Sequence, residues 1–165
     1  MSEGVNEADR TFRRVMSAFA TGVTVVSAAR ADGRLSGVTV NSLTSVSLRP
    51  RLLLWCLGDQ SARYDVFAQA PSWGVSILGA ADEALALRFA RAETESIQPE
   101  EADSFAGAPV LKAGIAHLSC TTYERRVAGD HLIIIGEVRD LRAASGDALT
   151  FYRGRYGRAD DPWST

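Results

Sequence analysis

The chain has 165 residues, 46% of them hydrophobic and 23% charged, enough to bury the core of one domain without disulfides or a structural metal. Its 18 basic and 20 acidic side chains interleave to a formal net charge of −2, which argues against a general affinity for nucleic acid or an anionic membrane. Cys56 and Cys120 stand far apart in apolar segments with no Cys-x-x-Cys pair, and His117 and His131 are the only histidines; zinc, thiol-redox and histidine-rich metal sites lose support, and two free thiols in a reducing compartment are expected.

Asn6 can cap a helix running to about Ala18, with an apolar stripe of Phe12, Val15, Met16 and Phe19. Arg13-Arg14 ahead of an apolar stretch to Ala29 imitates a secretory leader, but Glu3, Glu7 and Asp9 spoil its positive start, and Thr21, Gly22 and Thr24 interrupt the run. No segment reaches membrane-spanning length, so no membrane partner and a cytoplasmic location are expected. Val23–Ser27 reads as a strand, Asp32-Gly33 as a turn and Leu35–Val40 as the returning strand. Arg51–Leu57 is a third strand, Arg63–Ala70 a short helix stopped by Pro71, and Trp73–Leu78 a fourth strand. Asp82 and Glu83 at the start, and Arg88 and Arg91 at the end, suit the dipole of a helix through Leu85 and Phe89. Residues 92–109 read as an acidic loop. Ile115–Val127 and His131–Arg142 then form a long hairpin, with Gly129 at the first central position of a type II′ turn. A short segment near Phe151–Tyr156 closes a single domain, its core spanning about residues 12–156, and residues 157–165 read as a frayed tail.

The runs Leu52-Leu53-Leu54-Trp55 and Leu132-Ile133-Ile134-Ile135 do not alternate apolar with polar, so both faces of those strands need cover. No series of crossover helices accompanies them. A closed, mainly β barrel with peripheral helices, its outer wall packed on a second copy of the chain, meets that demand.

Dinucleotide-binding, phosphate-loop and nucleophile-elbow glycine motifs are all absent. The densest unusual segment is Thr39 to Pro50, in which Thr39, Asn41, Ser42, Thr44, Ser45 and Ser47 carry short hydroxyl or amide groups directly after an apolar strand. Such groups hold phosphate or the polar edge of a flat heterocycle; they equally make an ordinary Ser/Thr turn cluster.

Several stretches taken together resemble the short-chain flavin reductases, which supply reduced flavin to two-component monooxygenases. They are Phe12-Arg13, Phe19 to Val26, Thr39 to Ser47, Leu85 to Ala90, Gly107 to Leu111, Gly129-Asp130-His131 and Tyr152 to Tyr156. The resemblance implies a homodimeric split β-barrel of the FMN-binding, Greek-key type. It implies hydride transfer from NADH or NADPH to FMN or FAD, and a flavin-dependent monooxygenase partner reached by diffusing reduced flavin. It also implies flavin contacts from Thr39, Val40, Asn41, Ser42 and Ser45, from Cys56, Leu57, Ser61 and Ala62, and from Arg91. His131 is the one candidate catalytic residue and would face the nicotinamide, with Tyr152 and Tyr156 beside it; no metal is implied. A flavin-binding barrel with another redox substrate, or a non-enzymatic dimeric binding module, is the alternative.

The chain departs from the family pattern in three places. The usual run of two serines and a threonine after the third strand is reduced to Ser61 within Gln60-Ser61-Ala62-Arg63-Tyr64, Val75-Ser76 replaces a frequent Val-Asn, and Arg51 replaces a frequent proline. Both FMN and FAD therefore stay open. Arg63 either replaces the lost hydroxyls with a charge-assisted contact or is a solvated residue at a helix start. Tyr152 and Tyr156 either stack on a planar cofactor or half-bury on the closing segment. Trp55 and Trp73 read as core or interface, and no role is assigned to His117.

Overall fold

The computed structural model describes residues 6–91 and 96–162. In chain order its elements are α1 (Glu7–Met16), β1 (Thr21–Gly22), β2 (Thr24–Ala29), β3 (Leu35–Val40), β4 (Thr44–Leu48), β5 (Arg51–Gly58), α2 (Tyr64–Gln69), β6 (Ser72–Ile77), α3 (Glu83–Ala90), β7 (Ala102–Phe105), β8 (Ala108–Leu111), β9 (Ala116–Ala128), β10 (His131–Ala143), β11 (Ala148–Tyr152) and β12 (Arg155–Ala159). Asn6 caps α1 as expected, its side chain accepting the Asp9 N–H at 2.8 Å, with Glu7 and Asp9 in the first turn and Arg13 and Arg14 in the last.

Seven antiparallel strands follow the order β3-β2-β6-β9-β10-β5-β4. The two edge strands are consecutive in the chain. Laid flat, the sheet would hold them about 29 Å apart at the usual strand spacing, whereas the chain from Val40 to Thr44 spans at most about 14 Å. The sheet therefore rolls into a barrel, split where no ladder joins β3 to β4. Trp55, Trp73, Phe67, Val26, Val75 and Ile134 fill it, with Trp55 edge-on to both Phe67 and Trp73. On the other face of β2, Val25 and the preceding Val23 pack with Ala86 and Phe89 of α3, Leu111 of β8 and Leu149 of β11.

The long hairpin has the expected register. His131 faces Ala128 across a two-residue turn, and Gly129 has φ 61° while Asp130 is not among the residues of positive φ, as a type II′ turn requires. The apolar runs are covered on the barrel side only. Leu53, Leu132 and Ile134 are buried, whereas Leu54 and Ile135, paired on the outer face, are half-buried in the single chain.

Three elements differ from the sequence expectation. Thr44–Leu48 is an exposed strand inside the hydroxyl-rich segment. The part of the acidic loop that is described folds as the β7–β8 hairpin, because buried serines of neighbouring strands hold it: Ser27 donates to the Pro109 carbonyl at 2.7 Å, Ser119 donates to Ala106 at 3.1 Å, and Ser76 accepts the Leu111 N–H at 2.9 Å. Residues 92–95 of that loop lie outside the described residues. The chain past Tyr156 continues as β12 to Ala159, paired throughout with β11 in a three-stranded sheet with β1, so those residues of the expected tail are a strand. Among the described residues no helix is long and apolar enough to cross a membrane, and no three potential metal ligands cluster.

Candidate functional site

The split in the barrel opens onto a groove of three adjoining cavities. A cavity of about 300 Å³ lies between the end of β3, the end of β5 and the turn that leads into α2; Thr39, Val40, Cys56, Ser61 and Arg63 are among its walls. It adjoins one of about 180 Å³ at Thr39 and Val40, where Phe151 and Tyr156 enter. Asn41 and Phe151 connect this to a third, of about 900 Å³, beneath Phe12, Met16 and Phe19 of the α1 region and beside Thr21. Asn41, the residue immediately after β3, sits where the second and third cavities meet.

Most hydroxyls around the groove are already occupied. Thr39 Oγ1 donates to the Ala86 carbonyl at 2.8 Å. Ser42 Oγ accepts the Cys56 N–H at 3.0 Å and donates to the Cys56 carbonyl at 3.4 Å, pinning the 41–43 crossing to β5. Ser61 Oγ accepts the Arg63 N–H at 3.3 Å. Thr21, Asn41 and Arg63 are among the polar groups that remain open. Thr21 Oγ1 is buried without a hydrogen-bond partner. Asn41 makes no side-chain hydrogen bond among the described residues. Arg63, only 7% exposed, gives one hydrogen bond, to the Arg91 carbonyl at the end of α3. An elongated groove with apolar walls, an orphaned buried hydroxyl and an exposed amide midway, and a buried cation at one end fits a planar heterocycle carrying an anionic tail; a flavin nucleotide has that composition.

The remaining expected residues are distributed unevenly. Cys56, Leu57 and Ala62 line the first cavity with Ser61. Ser45 is exposed on β4 and lines none of the three cavities. Arg91 presents its carbonyl to Arg63 while its exposed side chain lines none of them. Tyr156 packs on Phe151 with ring centroids 5.3 Å apart, and burial, with Glu83 nearby, pushes its hydroxyl pKa up. Tyr152 is exposed beneath the Arg153 guanidinium and lines none of the three.

His131 stands at the rim. It pairs across the ladder with Gly58, which lines the first cavity, and its Nε2 lies 3.8 Å from where a Cβ on Gly58 would be. Nδ1 donates to Asp130 Oδ1 at 2.7 Å, and that bond holds the Asp130 carboxyl below its ordinary range. His117, by contrast, is consumed structurally: Nε2 meets the Ala113 carbonyl at 3.0 Å and Nδ1 accepts from Arg142 Nε at 3.3 Å. Sequence reasoning missed Thr21, Phe151 and the α1 stripe as parts of the groove; the stripe's helical spacing was the one available signal.

The two thiols give this groove a chemical test. Burial raises both, Cys120 to about 12, and only Cys56 lines the groove. At pH 8 a disulfide reagent is expected to modify Cys56 slowly and to spare Cys120 until the protein is denatured, because the thiolate is the reacting form. Saturating FMN should slow the Cys56 reaction several-fold. An unchanged rate would place the flavin elsewhere.

The flavin reductase like domain model matches residues 16–160 of the chain. The FMN reductase (NADH) SmoA of Agrobacterium fabrum is 40% identical over 154 residues, covering 92% of this chain and 87% of that protein. The solved structure of the Streptomyces globisporus NADH:FAD oxidoreductase SgcE6 in complex with NAD and FAD fragments is 33% identical with a TM-score of 0.85, covering 99% of this chain and 100% of that one. The styrene monooxygenase flavin reductase of Pseudomonas putida S12 is 29% identical with a TM-score of 0.84, covering 92% and 98%. The likeness runs from α1 through β12 and includes every strand that builds the groove, so the chain belongs to the flavin reductase family.

Proposed function

We propose that the protein moves a hydride from NADH to FMN or FAD and releases the reduced flavin to a separate monooxygenase component. The observation that carries this reading is the groove itself, in which the polar groups left open are those a flavin nucleotide would use. The flavin ring supplies the hydride acceptor. The chain's own residues bind and orient: Val40, Leu57 and Phe151 exclude water, Asn41 and Thr21 offer hydrogen bonds, and His131 positions the nicotinamide from the rim. No side chain has to take a proton for the hydride to move, in keeping with a groove that holds neither a buried carboxylate nor a buried histidine among the described residues. Anaerobic addition of NADH to protein with FMN should bleach the oxidised flavin absorbance catalytically. Persistence of that absorbance in protein that demonstrably binds FMN would overturn the reading.

The working unit in this proposal is a homodimer. Phe12, Val15, Met16 and Phe19 are all more than half exposed although they form one apolar stripe, and the outer face at Leu54 and Ile135 is only half covered. A second copy buries such surfaces economically. Light scattering at micromolar concentration should return twice the chain mass, and Phe19→Glu should shift the protein toward monomer. A monomer mass for the unmodified protein refutes the dimer.

A further inference from the structure

The groove carries a second arginine, far from the first along the chain. Arg13 is the one charged side chain among the described residues that line the third cavity. Its helix gives it no part in a core, since α1 buries none of its residues. Among the described residues no carboxylate pairs with it. Arg13 and Arg14 both complement the dipole in the last turn of α1, but the helical step turns them about 100° apart, and Arg14 lines none of the three cavities. The hairpin tip faces the same opening. The hydrogen bond from His131 holds the Asp130 carboxyl below its ordinary range, and the Arg13 charge adds to that effect. The guanidinium therefore lies within electrostatic reach of the residue beside His131, on a cavity wall, with its donors free. In a nicotinamide dinucleotide the pyrophosphate is one ribose away from the reactive ring. A ring seated against His131 brings that anion to the opening, where Asp130 alone would repel it. The Arg13 charge offsets the repulsion, and its planar fork is shaped to take two phosphate oxygens at once.

We propose that Arg13 receives the pyrophosphate of NADH at the groove mouth, which makes the protein prefer a dinucleotide over an uncharged dihydronicotinamide as hydride donor. The proposal rests on the flavin reductase reading of the groove and adds to it a residue that selects the donor, while His131 places the donor's ring. N-benzyl-dihydronicotinamide has the same reactive ring and no phosphate, so it isolates this one contact.

The test compares NADH with N-benzyl-dihydronicotinamide as donors to FMN in the full chain. Arg13→Gln should lower kcat/KM for NADH roughly 5- to 20-fold, chiefly through KM, and leave that for the benzyl compound unchanged. Arg14→Gln removes the same charge from a side of the helix turned away from the cavities and should change neither. Arg13→Lys, which keeps a charge but loses the fork, should fall between. Added salt should raise the KM for NADH in the unmodified protein and much less in Arg13→Gln. A second readout involves no turnover: calorimetric titration of the FMN-bound protein with tetrahydro-NADH, which carries the pyrophosphate and gives no hydride. It should show the same loss of affinity in Arg13→Gln and none in Arg14→Gln. Unchanged behaviour of Arg13→Gln, a loss matched by Arg14→Gln, or a parallel loss for both donors overturns the proposal and leaves the reductase reading standing. Absence of flavin reduction by either donor, in unmodified protein that binds FMN, refutes that reading and the proposal together. If Arg13→Gln does not fold, the Lys variant and the salt dependence of tetrahydro-NADH binding decide.

Discussion

Gly74→Ala is expected to destabilise the fold by about 2–4 kcal/mol, a fall of roughly 5–15 °C in Tm for a chain of this size. A Cβ at this position would lie 1.9 Å from the Pro109 carbonyl oxygen and 2.7 Å from Val110 Cγ1, because β8 crosses directly over β6 there. The obstacle is backbone, so no rotamer change removes it. Nor can β8 lift away cheaply. The three serine hydrogen bonds that seat the β7–β8 hairpin flank the crossing, two of them at Pro109 and Leu111, and a shift leaves buried polar groups unpaired at about 1–3 kcal/mol each. Gly22→Ala, where the same construction meets nothing within 4 Å, is the control and should change stability by about 0.5 kcal/mol or less. Unfolding curves of the three proteins at one concentration measure the difference. Equal midpoints for Gly74→Ala and Gly22→Ala would mean that β8 does not cover β6.

The same crossing shows which parts of the fold the sequence made legible. The long hairpin was readable because Gly129 at its tip and the apolar runs on either side carry the information locally. The β7–β8 hairpin was not, because what holds it is serines at 27, 76 and 119, on three other strands. β12 was hidden for the same reason: Gly157 and Arg158 look like tail until they pair with Thr150 and Leu149. In the candidate site, the hydroxyl-rich segment from Thr39 stands out for its density, and its first half, Thr39 to Thr44, does line the groove. Much of that density, however, serves the chain itself: Thr39 is bound to α3, Ser42 to β5, and Ser47 accepts the Arg49 N–H. Of the polar side chains left open, Asn41 lies within the segment, and Thr21 and Arg63 lie outside it. Thr21 Oγ1 is buried where the strand pairs with Phe151 at the far end of the chain, and Arg63 where the end of α3 meets it. Neither event has a local signature, so Arg63 reads equally well as a solvated helix start.

His131→Ala is expected to lower kcat/KM for NADH by 10- to 100-fold, or about 1.4–2.8 kcal/mol of transition-state stabilisation, chiefly through a higher KM for the nicotinamide. Two restraints aim this side chain. The type II′ turn sets the direction in which it leaves the backbone, and the 2.7 Å hydrogen bond from Nδ1 to Asp130 fixes the ring, leaving Nε2 over Gly58 at the mouth of the first cavity. A group so held can meet a transient substrate without reorganising, which is where positioning groups gain their effect. Half of the side chain is exposed, at 49%, so few packing contacts are lost on truncation, and Tm and FMN affinity should hardly move. Asp130→Asn keeps a hydrogen-bonding group beside Nδ1 but removes the carboxylate, and it should raise the KM for NADH by a smaller factor with kcat little changed. A purely structural His131 predicts the opposite pattern, a lower Tm with ordinary kinetics in the protein that stays folded. Steady-state rates with NADH varied at fixed flavin, taken beside a melting curve of the same preparation, separate the two, and an unchanged kcat/KM in His131→Ala would remove His131 from the nicotinamide site.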